Sequence, residues 1–401
     1  MSVTSSVPAP VATVPLRPGD HAAVHELARM AFGERSAFDP DLPRPAPDRH
    51  RCVYDGDRLV ANAVTVDFTQ AFGGRFVACG GLSGVMIATD RRGRGLGRRV
   101  VHDSLVAMRE RGQVVSALYP TTASLYRSLG YEVAGWWGET AVALTDLPGD
   151  DEGLDWEPCR VDDARVREVA HRRAALHDGW VGSPEYLWRR RAHRRGEGVD
   201  DDCFVGSRDG APVAAVWLRY RDADDAVFAL SAGLLTGIDH HALVAACALV
   251  AAHATTTREL VTTLPEHVLA GVCEHPQRLR RRDQWVWMLR LVDVDGALEA
   301  RGWNPAVEAS VVLGIDDDPV FPANVGRRRL VLEGGRARVI PTTDDADVSA
   351  GVGTWARWYA GGSVTAAARR GEVTVGDPTA LALLEAAVAT GTGPATLPDF
   401  F

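Results

Sequence analysis

One order of secondary-structure elements is predicted twice in this chain, and this repetition restricts the available folds more than any other feature. In the first copy, a β-hairpin around Asp55-Gly56 is followed by a strand from Gly81 to Ala88 and then by a helix. In the second copy, a hairpin around Asp209-Gly210 is followed by a strand from Ala226 to Leu235 and a helix from Asp239 to Ala254. The sequence therefore predicts an internal duplication.

The length and one linker divide the chain further. A chain of 401 residues is long enough for two or three domains, each with its own core. The acidic, glycine-rich segment Leu147 to Leu154 has the composition of a linker. We therefore predict a first domain over residues 1–150, a second over 151–286 and a third, α+β domain over 287–401, entered by the strand-like segment Trp287 to Val294.

Composition excludes several classes of protein. With 46% hydrophobic and 24% charged residues, the chain is neither disordered nor fibrous, and its net charge of −9 disfavours a nucleic-acid partner. The longest apolar run, Ala242 to Ala252, is too short to span a membrane, and no signal peptide is visible, so we expect a cytoplasmic protein. The six cysteines form no CxxC pair, and no metal site is predicted.

The strongest chemical signal is the segment Arg92-Gly93-Arg94-Gly95-Leu96-Gly97, which lies between a predicted strand and a helix from Arg98 to Arg111. Glycines allow a tight turn in which successive N–H groups face one concave site at the helix N-terminus. Such a site binds phosphate oxygens, and the arginines add positive charge. The segment is neither GxGxxG nor GK[ST], so NAD and ATP fit it less well. A glycine turn with solvated arginines is the alternative.

The same segment carries a family resemblance. Arg92, Gly95 and Gly97 match the R-x-x-G-x-G/A pyrophosphate loop of the GNAT superfamily of acyl-CoA N-acyltransferases. Nearly the whole chain resembles the enhanced intracellular survival (Eis) acetyltransferases within that superfamily. The segments that carry this narrower resemblance are Gly84 to Ile87, Leu125 to Tyr131, Trp285 to Val294 and the aromatic end at Phe401.

The resemblance implies an α+β fold made of tandem GNAT domains, each a mixed sheet flanked by helices, and a C-terminal domain similar to sterol carrier proteins, assembled as a homohexamer. It also implies that acetyl-CoA binds only the first domain. Backbone groups of Val85, Met86 and Ile87 would bind its pantetheine arm, and Thr121 and Thr122 would line its far side. The implied pyrophosphate site comprises Arg92, Gly93, Arg94, Gly95, Leu96, Gly97 and Arg98.

The second copy lacks this phosphate site. Its corresponding turn, Thr236-Gly237-Ile238-Asp239, has one glycine, no arginine and a carboxylate at the start of the helix. A carboxylate there would repel a pyrophosphate. We therefore expect the second domain to be catalytically silent.

Acetyl transfer to an amine requires stabilisation of an oxyanion and a proton for the departing thiolate. Tyr126, on a short helix predicted from Thr121 to Leu129, occupies the place of the GNAT general acid, although a packed aromatic residue is the alternative. The backbone N–H of Val85 or Met86 is the expected oxyanion donor. In the Eis family the terminal α-carboxylate is the general base, which implies Phe401 here.

A terminal carboxylate has an ordinary pKa of about 3.3–3.7, so a base at this position requires desolvation by neighbouring aromatic residues, or it orients the ammonium instead. A frayed terminus is the alternative. For the acceptor, the resemblance implies a pocket to which Glu26, Asp399 and Phe400 contribute, and a small cationic amine such as an aminoglycoside, a polyamine or a lysine side chain. A CoA- or lipid-binding regulatory module with a vestigial acetyl site is the competing hypothesis.

Overall fold

The computed structural model describes residues 12–150, 152–193, 201–221, 228–390 and 395–397, which form two β-sheets with helices packed against them. In the first unit a helix precedes a hairpin and a third strand, and the chain then alternates between helices and strands. Its elements are α1 (His21–Phe32), β1 (His50–Asp55), β2 (Arg58–Phe72), β3 (Arg75–Ile87), α2 (Leu96–Glu110), β4 (Val115–Leu118), α3 (Ala123–Arg127) and β5 (Glu132–Ala143).

The second unit repeats this order, as the sequence predicts. Its elements are β6 (Asp155–Pro158), α4 (Ala164–Ala174), β7 (Val181–Gly182), α5 (Glu185–His193), β8 (Asp201–Arg208), β9 (Ala211–Arg221), β10 (Phe228–Gly237), α6 (His240–Ala251), β11 (Thr257–Thr262), α7 (Glu266–Ala270) and β12 (Arg280–Leu291). Strands β1 to β4 pair antiparallel, antiparallel and parallel, and β8 to β11 do the same. The tandem GNAT architecture is therefore present.

Both units share one large sheet, and one strand of that sheet joins them in an unexpected place. The strand order is β1-β2-β3-β4-β12-β5-β11-β10-β9-β8-β6, so β12 lies between two strands of the first unit. Met288 pairs with Leu118 of β4, and Leu289 pairs with Glu132 of β5. The predicted boundary between residues 286 and 287 falls inside this strand, whose buried side chains Trp287 and Leu291 belong to the core.

The third unit is a separate five-stranded sheet with helices. Its elements are α8 (Val294–Ala300), β13 (Ala309–Ile315), β14 (Gly326–Glu333), β15 (Arg336–Pro341), β16 (Val348–Ala350), α9 (Val352–Tyr359), α10 (Val364–Arg369), β17 (Thr374–Val375) and α11 (Pro378–Val388). The sequence pattern indicates one helix from Val348 to Ala360, but its first three residues form β16, which pairs with β13. In the part of the chain that the structure describes, none of the helices combines the length and apolar character required for a membrane crossing.

A buried ion pair connects the large sheet to the third unit. Arg290 on β12 donates a hydrogen bond to Asp318, which lies after β13, and both side chains are fully buried. The Asp318 carboxylate also accepts hydrogen bonds from the backbone N–H groups of Val320 and Phe321, at 2.9 and 2.8 Å. The charge of Arg290 is therefore compensated inside the protein, as a buried charge requires.

Candidate active site

Strands β3 and β4 separate at the point where the first unit can accept an extended ligand. Their parallel pairing ends at Gly81 and Ala117, whereas β3 continues to Ile87. Buried or half-buried backbone groups need partners, and beyond Gly81 this edge of β3 has no pairing to β4. The predicted residues Val85, Met86 and Ile87 all lie on this open segment. The Met86 side chain is buried in the core, so only its backbone can bind a ligand there.

A β-bulge interrupts β3 at the same place. Val64 of β2 pairs with Ser83, but the next pair joins Asn62 to Met86, so Gly84 and Val85 together oppose a single residue. Gly84 has a φ of 55°, a left-handed conformation that favours glycine. The Gly84 carbonyl accepts a hydrogen bond from Asn62 Nδ2 at 2.9 Å. The sequence contained no signal for the role of Asn62, because its partner lies on another strand.

The predicted phosphate site forms a loop that leads into α2. Gly93 and Gly95 have φ values of 73° and 74°, and Gly95 is the residue that precedes the helix. A Cβ atom at either glycine would have no atom within 4 Å, so the loop is open on its outer side. The helix starts at Leu96, two residues before the predicted start, because Gly95 completes the turn. This geometry presents free backbone N–H groups to an anion.

Arginines surround this loop, but they are not equivalent. Arg91 forms ion pairs with Asp55 and Asp90, and Arg98 donates hydrogen bonds to the carbonyl and hydroxyl of Ser128, at 3.0 and 2.6 Å. Arg92 and Arg94 are exposed and form no ion pair with any residue that the structure describes. The positive charge at the loop that no described carboxylate offsets therefore comes from Arg92, Arg94 and Arg98, and the Arg98 side chain is held by Ser128.

Tyr126 lies on α3, close to the start of α2. Its side chain is buried, with its ring 5.9 Å from the ring of Tyr131, and burial raises the pKa of Tyr126 to about 12. The hydroxyl is therefore protonated at neutral pH, as a proton donor must be. A Cβ atom on Gly97 would lie 3.6 Å from Leu125 Cδ2, which shows how closely α3 approaches α2.

The two predicted threonines precede this helix. Thr121 and Thr122 are exposed, and Thr122 is the residue immediately before α3. Helix α3 covers only Ala123–Arg127, which is shorter than the predicted span. Both threonines therefore lie between the end of β4 and Tyr126, beside the cleft between β3 and β4.

A pocket of about 680 Å³ lies on the α1 side of the first unit. It is lined by α1, by the loop that follows it, by His50 and Val64, and by four residues of the second unit, Arg190, Arg191, Trp217 and Arg219. The Val64 side chain is 3.3 Å from the position of a Cβ atom on Gly84. Its carboxylates are Glu34 and Asp39. Glu26, the predicted carboxylate, lies on the exposed face of α1, where it accepts a hydrogen bond from Arg29 Nε at 2.9 Å.

The last described segment runs towards the end of β4. Thr396 forms a β-bridge with Trp136 and accepts a hydrogen bond from Trp180 Nε1 at 2.8 Å. The Leu397 carbonyl accepts a hydrogen bond from the Tyr119 hydroxyl at 2.5 Å. The predicted residues Asp399, Phe400 and Phe401 lie outside the described residues.

The second unit keeps the bulge but not the phosphate loop. Strand β10 changes register between Ala232 and Leu234, at Gly233. Before α6, Asp239 accepts hydrogen bonds from the Ala242 N–H at 2.8 Å and from Arg208 at 2.9 Å. A Cβ atom on Gly237 would lie 2.3 Å from the Leu243 nitrogen. The start of α6 therefore carries a carboxylate and is closely packed, which differs from the open loop before α2.

Comparison with known proteins agrees with this architecture. Residues 13–134 match the acetyltransferase (GNAT) domain family, and residues 294–396 match the sterol carrier protein domain family. An uncharacterized N-acetyltransferase of Streptomyces griseus is 30% identical over 320 residues, which are 72% of this chain and 74% of that protein. The N-acetyltransferase Eis of Mycobacterium bovis is 28% identical over 317 residues, 73% of each chain. The chain belongs to the Eis-like N-acetyltransferases of the GNAT superfamily.

Solved structures support the fold of this Eis-like chain. A GCN5-related N-acetyltransferase from Anabaena variabilis superimposes with a TM-score of 0.86 at 20% identity, covering 97% of this chain and 99% of that one. Eis1 from Mycobacterium abscessus gives a TM-score of 0.79 at 19% identity, covering 96% and 98% of the two chains. These two likenesses show the fold, whereas the sequence matches make the protein an N-acetyltransferase with a C-terminal sterol carrier protein domain.

Proposed function

We propose that this Eis-like enzyme transfers the acetyl group of acetyl-CoA to a primary amine by direct attack. The observation that carries the proposal is the open edge of β3 beside the loop Gly93 to Gly97. That loop suits a pyrophosphate, and the edge from Val85 to Ile87 suits the amide groups of a pantetheine arm. Both features lie in the first unit. The strand edge for the pantetheine arm is next to the loop for the pyrophosphate, as the order of these groups in a CoA thioester requires.

Residues of the first unit, together with the C-terminus of the chain, supply the required chemistry. The Val85 or Met86 N–H stabilises the oxyanion, and the protonated Tyr126 hydroxyl donates to the departing thiolate. The α-carboxylate of Phe401 accepts the proton of the amine; this role rests on the family resemblance. The cytoplasmic location and the homohexamer also stay predictions.

The pocket beside α1 carries charges of both signs. Hydrogen bonds from Ser36 and Arg35 lower the pKa of Glu34, and a hydrogen bond from His193, at 2.6 Å, lowers the pKa of Asp39. Both carboxylates are therefore ionised at neutral pH, but Arg44, Arg190, Arg191 and Arg219 also line the pocket, so its charge alone does not favour a cationic acceptor. The proposed acceptors remain an aminoglycoside, a polyamine or a lysine-type amine.

The competing hypothesis of a lipid-binding module finds little support in the third unit. Trp355, Trp358 and Tyr359 of α9 are almost fully buried and fill its interior together with Trp303. Aromatic side chains of this size occupy the space that a bound acyl chain would need. The enzyme hypothesis therefore explains more of the structure than the lipid-binding hypothesis does.

The decisive experiment measures thiol release from acetyl-CoA by the untagged protein with aminoglycosides, polyamines and lysine-containing peptides. We expect release that requires one of these amines. Acetyl-CoA binding without release for any amine would contradict the proposed transfer and favour the regulatory module.

Removing either free arginine at the loop is expected to weaken acetyl-CoA binding. Arg92→Ala and Arg94→Ala should each raise Kd about tenfold, because each removes a charge-assisted contact to phosphate that is partly screened by solvent. Calorimetry should also show one site per chain, since Asp239 occupies the corresponding place in the second unit. Arg258→Ala, an exposed arginine on β11, is the control. An unchanged Kd in both loop variants would exclude the loop as the pyrophosphate site.

Extending the chain by one glycine after Phe401 is expected to lower kcat at least 100-fold if its carboxylate is the base, because the base would be displaced. The acetyl-CoA Kd should not change. A glycine added before Met1 is the control. Full activity of the C-terminally extended protein would rule out this role of Phe401.

A further inference from the structure

Two hydrogen bonds, the first buried and the second partly buried, connect His50 to the peptide between Gly84 and Val85. His50 Nδ1 lies 2.8 Å from Asn62 Oδ1, and Asn62 Nδ2 donates to the Gly84 carbonyl at 2.9 Å. Asn62 is fully buried, and only 3% of His50 is exposed. The carbonyl of Gly84 can only accept, so the orientation of the Asn62 amide is determined and His50 must donate through Nδ1–H. The chain of bonds therefore has one direction, from His50 to Gly84.

The orientation of this peptide decides where the Val85 N–H points. No cis peptide bond occurs in the described residues, and a trans peptide directs its C=O and N–H to opposite sides. A hydrogen bond that holds the Gly84 carbonyl towards Asn62 therefore holds the Val85 N–H away from Asn62. That direction is available to a ligand because β3 is unpaired to β4 beyond Gly81.

The bulge makes this restraint necessary. Within a regular ladder, the neighbouring strand fixes each peptide through its own hydrogen bonds. Gly84 and Val85 share one opposing residue, and the φ of 55° at Gly84 turns the peptide out of the regular pattern. Asn62, which is directly paired with Met86, supplies a hydrogen bond to this peptide from its side chain.

We propose that Asn62 and His50 are positioning residues that aim and polarise the Val85 N–H as the oxyanion donor for acetyl transfer. The inference rests on the proposed function, since it needs an acetyl carbonyl at this N–H. An amide whose carbonyl accepts a hydrogen bond becomes a stronger donor through its N–H. His50 acts through Asn62, because its Nδ1–H, together with a longer contact from the Cys52 thiol at 3.5 Å, holds the side-chain amide in the orientation that places Nδ2 against Gly84.

Gln70 provides a matched control for the loss of a buried amide. It lies on the same strand as Asn62, is fully buried, and donates through Nε2 to the Gly179 carbonyl at 2.8 Å. Its pairing partner on β3 is Val77, far along the strand from the bulge. Gln70→Ala and Asn62→Ala thus remove the same kind of hydrogen bond, but only Asn62→Ala acts on the Val85 peptide.

The test is the infrared carbonyl stretch of bound acetyl-CoA labelled with ¹³C at the thioester carbonyl. In the wild type, we expect the stretch to lie at a lower frequency than in free acetyl-CoA because the Val85 N–H donates to the carbonyl. In Asn62→Ala it should return most of the way to the free value, with kcat lowered about 10- to 100-fold and the acetyl-CoA Kd changed by less than about threefold. Gln70→Ala should keep both the shifted stretch and kcat.

Variants of His50 give an independent measurement if Asn62→Ala does not fold. His50→Leu removes the Nδ1 donor and should lose most of the frequency shift, whereas His50→Asn retains a donor at the same position and should restore it. The inference would be overturned if Asn62→Ala kept the wild-type carbonyl stretch and kcat. It would also be overturned if His50→Leu and His50→Asn showed the same carbonyl stretch. Absence of acetyl-CoA turnover in the wild type would instead overturn the proposed function.

Discussion

Tyr126→Phe is expected to lower kcat by roughly 100- to 1,000-fold while leaving the acetyl-CoA Kd almost unchanged. The substitution removes only the proton that the thiolate needs, and general acids contribute about this much to a rate. The ring can keep its packing against Tyr131, 5.9 Å away. Thiol release under saturating substrates and calorimetry with acetyl-CoA measure the two quantities.

Tyr131→Phe is the matched control for this prediction. Tyr131 is fully buried and its hydroxyl forms a 2.8 Å hydrogen bond with Ser116, so this variant should lose about 1 kcal/mol of stability and keep kcat. Because the pKa of Tyr126 is about 12, kcat should show no loss from ionisation of this tyrosine below about pH 10. Full activity of Tyr126→Phe would assign the thiolate proton to another donor.

Asp318→Ala is expected to lower the free energy of unfolding by about 3–5 kcal/mol. Removing one member of a buried ion pair leaves the other charge uncompensated, and Arg290 is fully buried. Backbone N–H groups of Val320 and Phe321 would lose their acceptor as well. Chemical denaturation measures the change, with Asp162→Ala as the control, because its partner Arg160 is largely exposed and such pairs contribute about 0–1 kcal/mol.

The same carboxylate predicts a loss of stability in acid. Burial alone would raise the pKa of Asp318, but the hydrogen bond and charge of Arg290 outweigh burial and lower it. A lowered pKa in the folded state stabilises the protein above the unfolded value of about 3.9, and this stabilisation disappears as the pH falls below it. Asp318→Asn should therefore flatten the stability profile below about pH 4. An unchanged pH dependence of stability in Asp318→Asn would show that other carboxylates determine the loss of stability in acid.

Local patterns in the sequence were sufficient to predict the backbone of the loop before α2, the helix that carries Tyr126 and the repeated order of elements. Gly93 and Gly95 predicted a tight, open loop before α2, because its left-handed turns depend on glycine at those positions; phosphate binding by this loop stays a prediction. Tyr126 could be placed because its helix follows the cleft strand directly. The repeated order of elements predicted the tandem architecture, since each copy carries its own turns and hydrophobic periods.

Features that depend on contacts between distant segments could not be predicted. The pattern of β12 indicated a strand, but a strand's own residues do not reveal which neighbours it pairs with. His50 and Asn62 are separated in sequence from Gly84, and neither belongs to a recognisable motif. Glu34 and Asp39 lie in an irregular loop, so their convergence on the pocket depends on how that loop folds against α1.

The position of β12 has a consequence for biosynthesis of the enzyme. Strand β12 fills the gap between β4 and β5. It leaves the ribosome roughly 170 residues after β4, its neighbour on one side. Until then, the nascent catalytic unit exposes the backbone edges of both neighbours, which are open to pairing with other chains. We therefore expect that the first 150 residues do not fold on their own and that the proposed acetyl site forms only after most of the polypeptide has been translated.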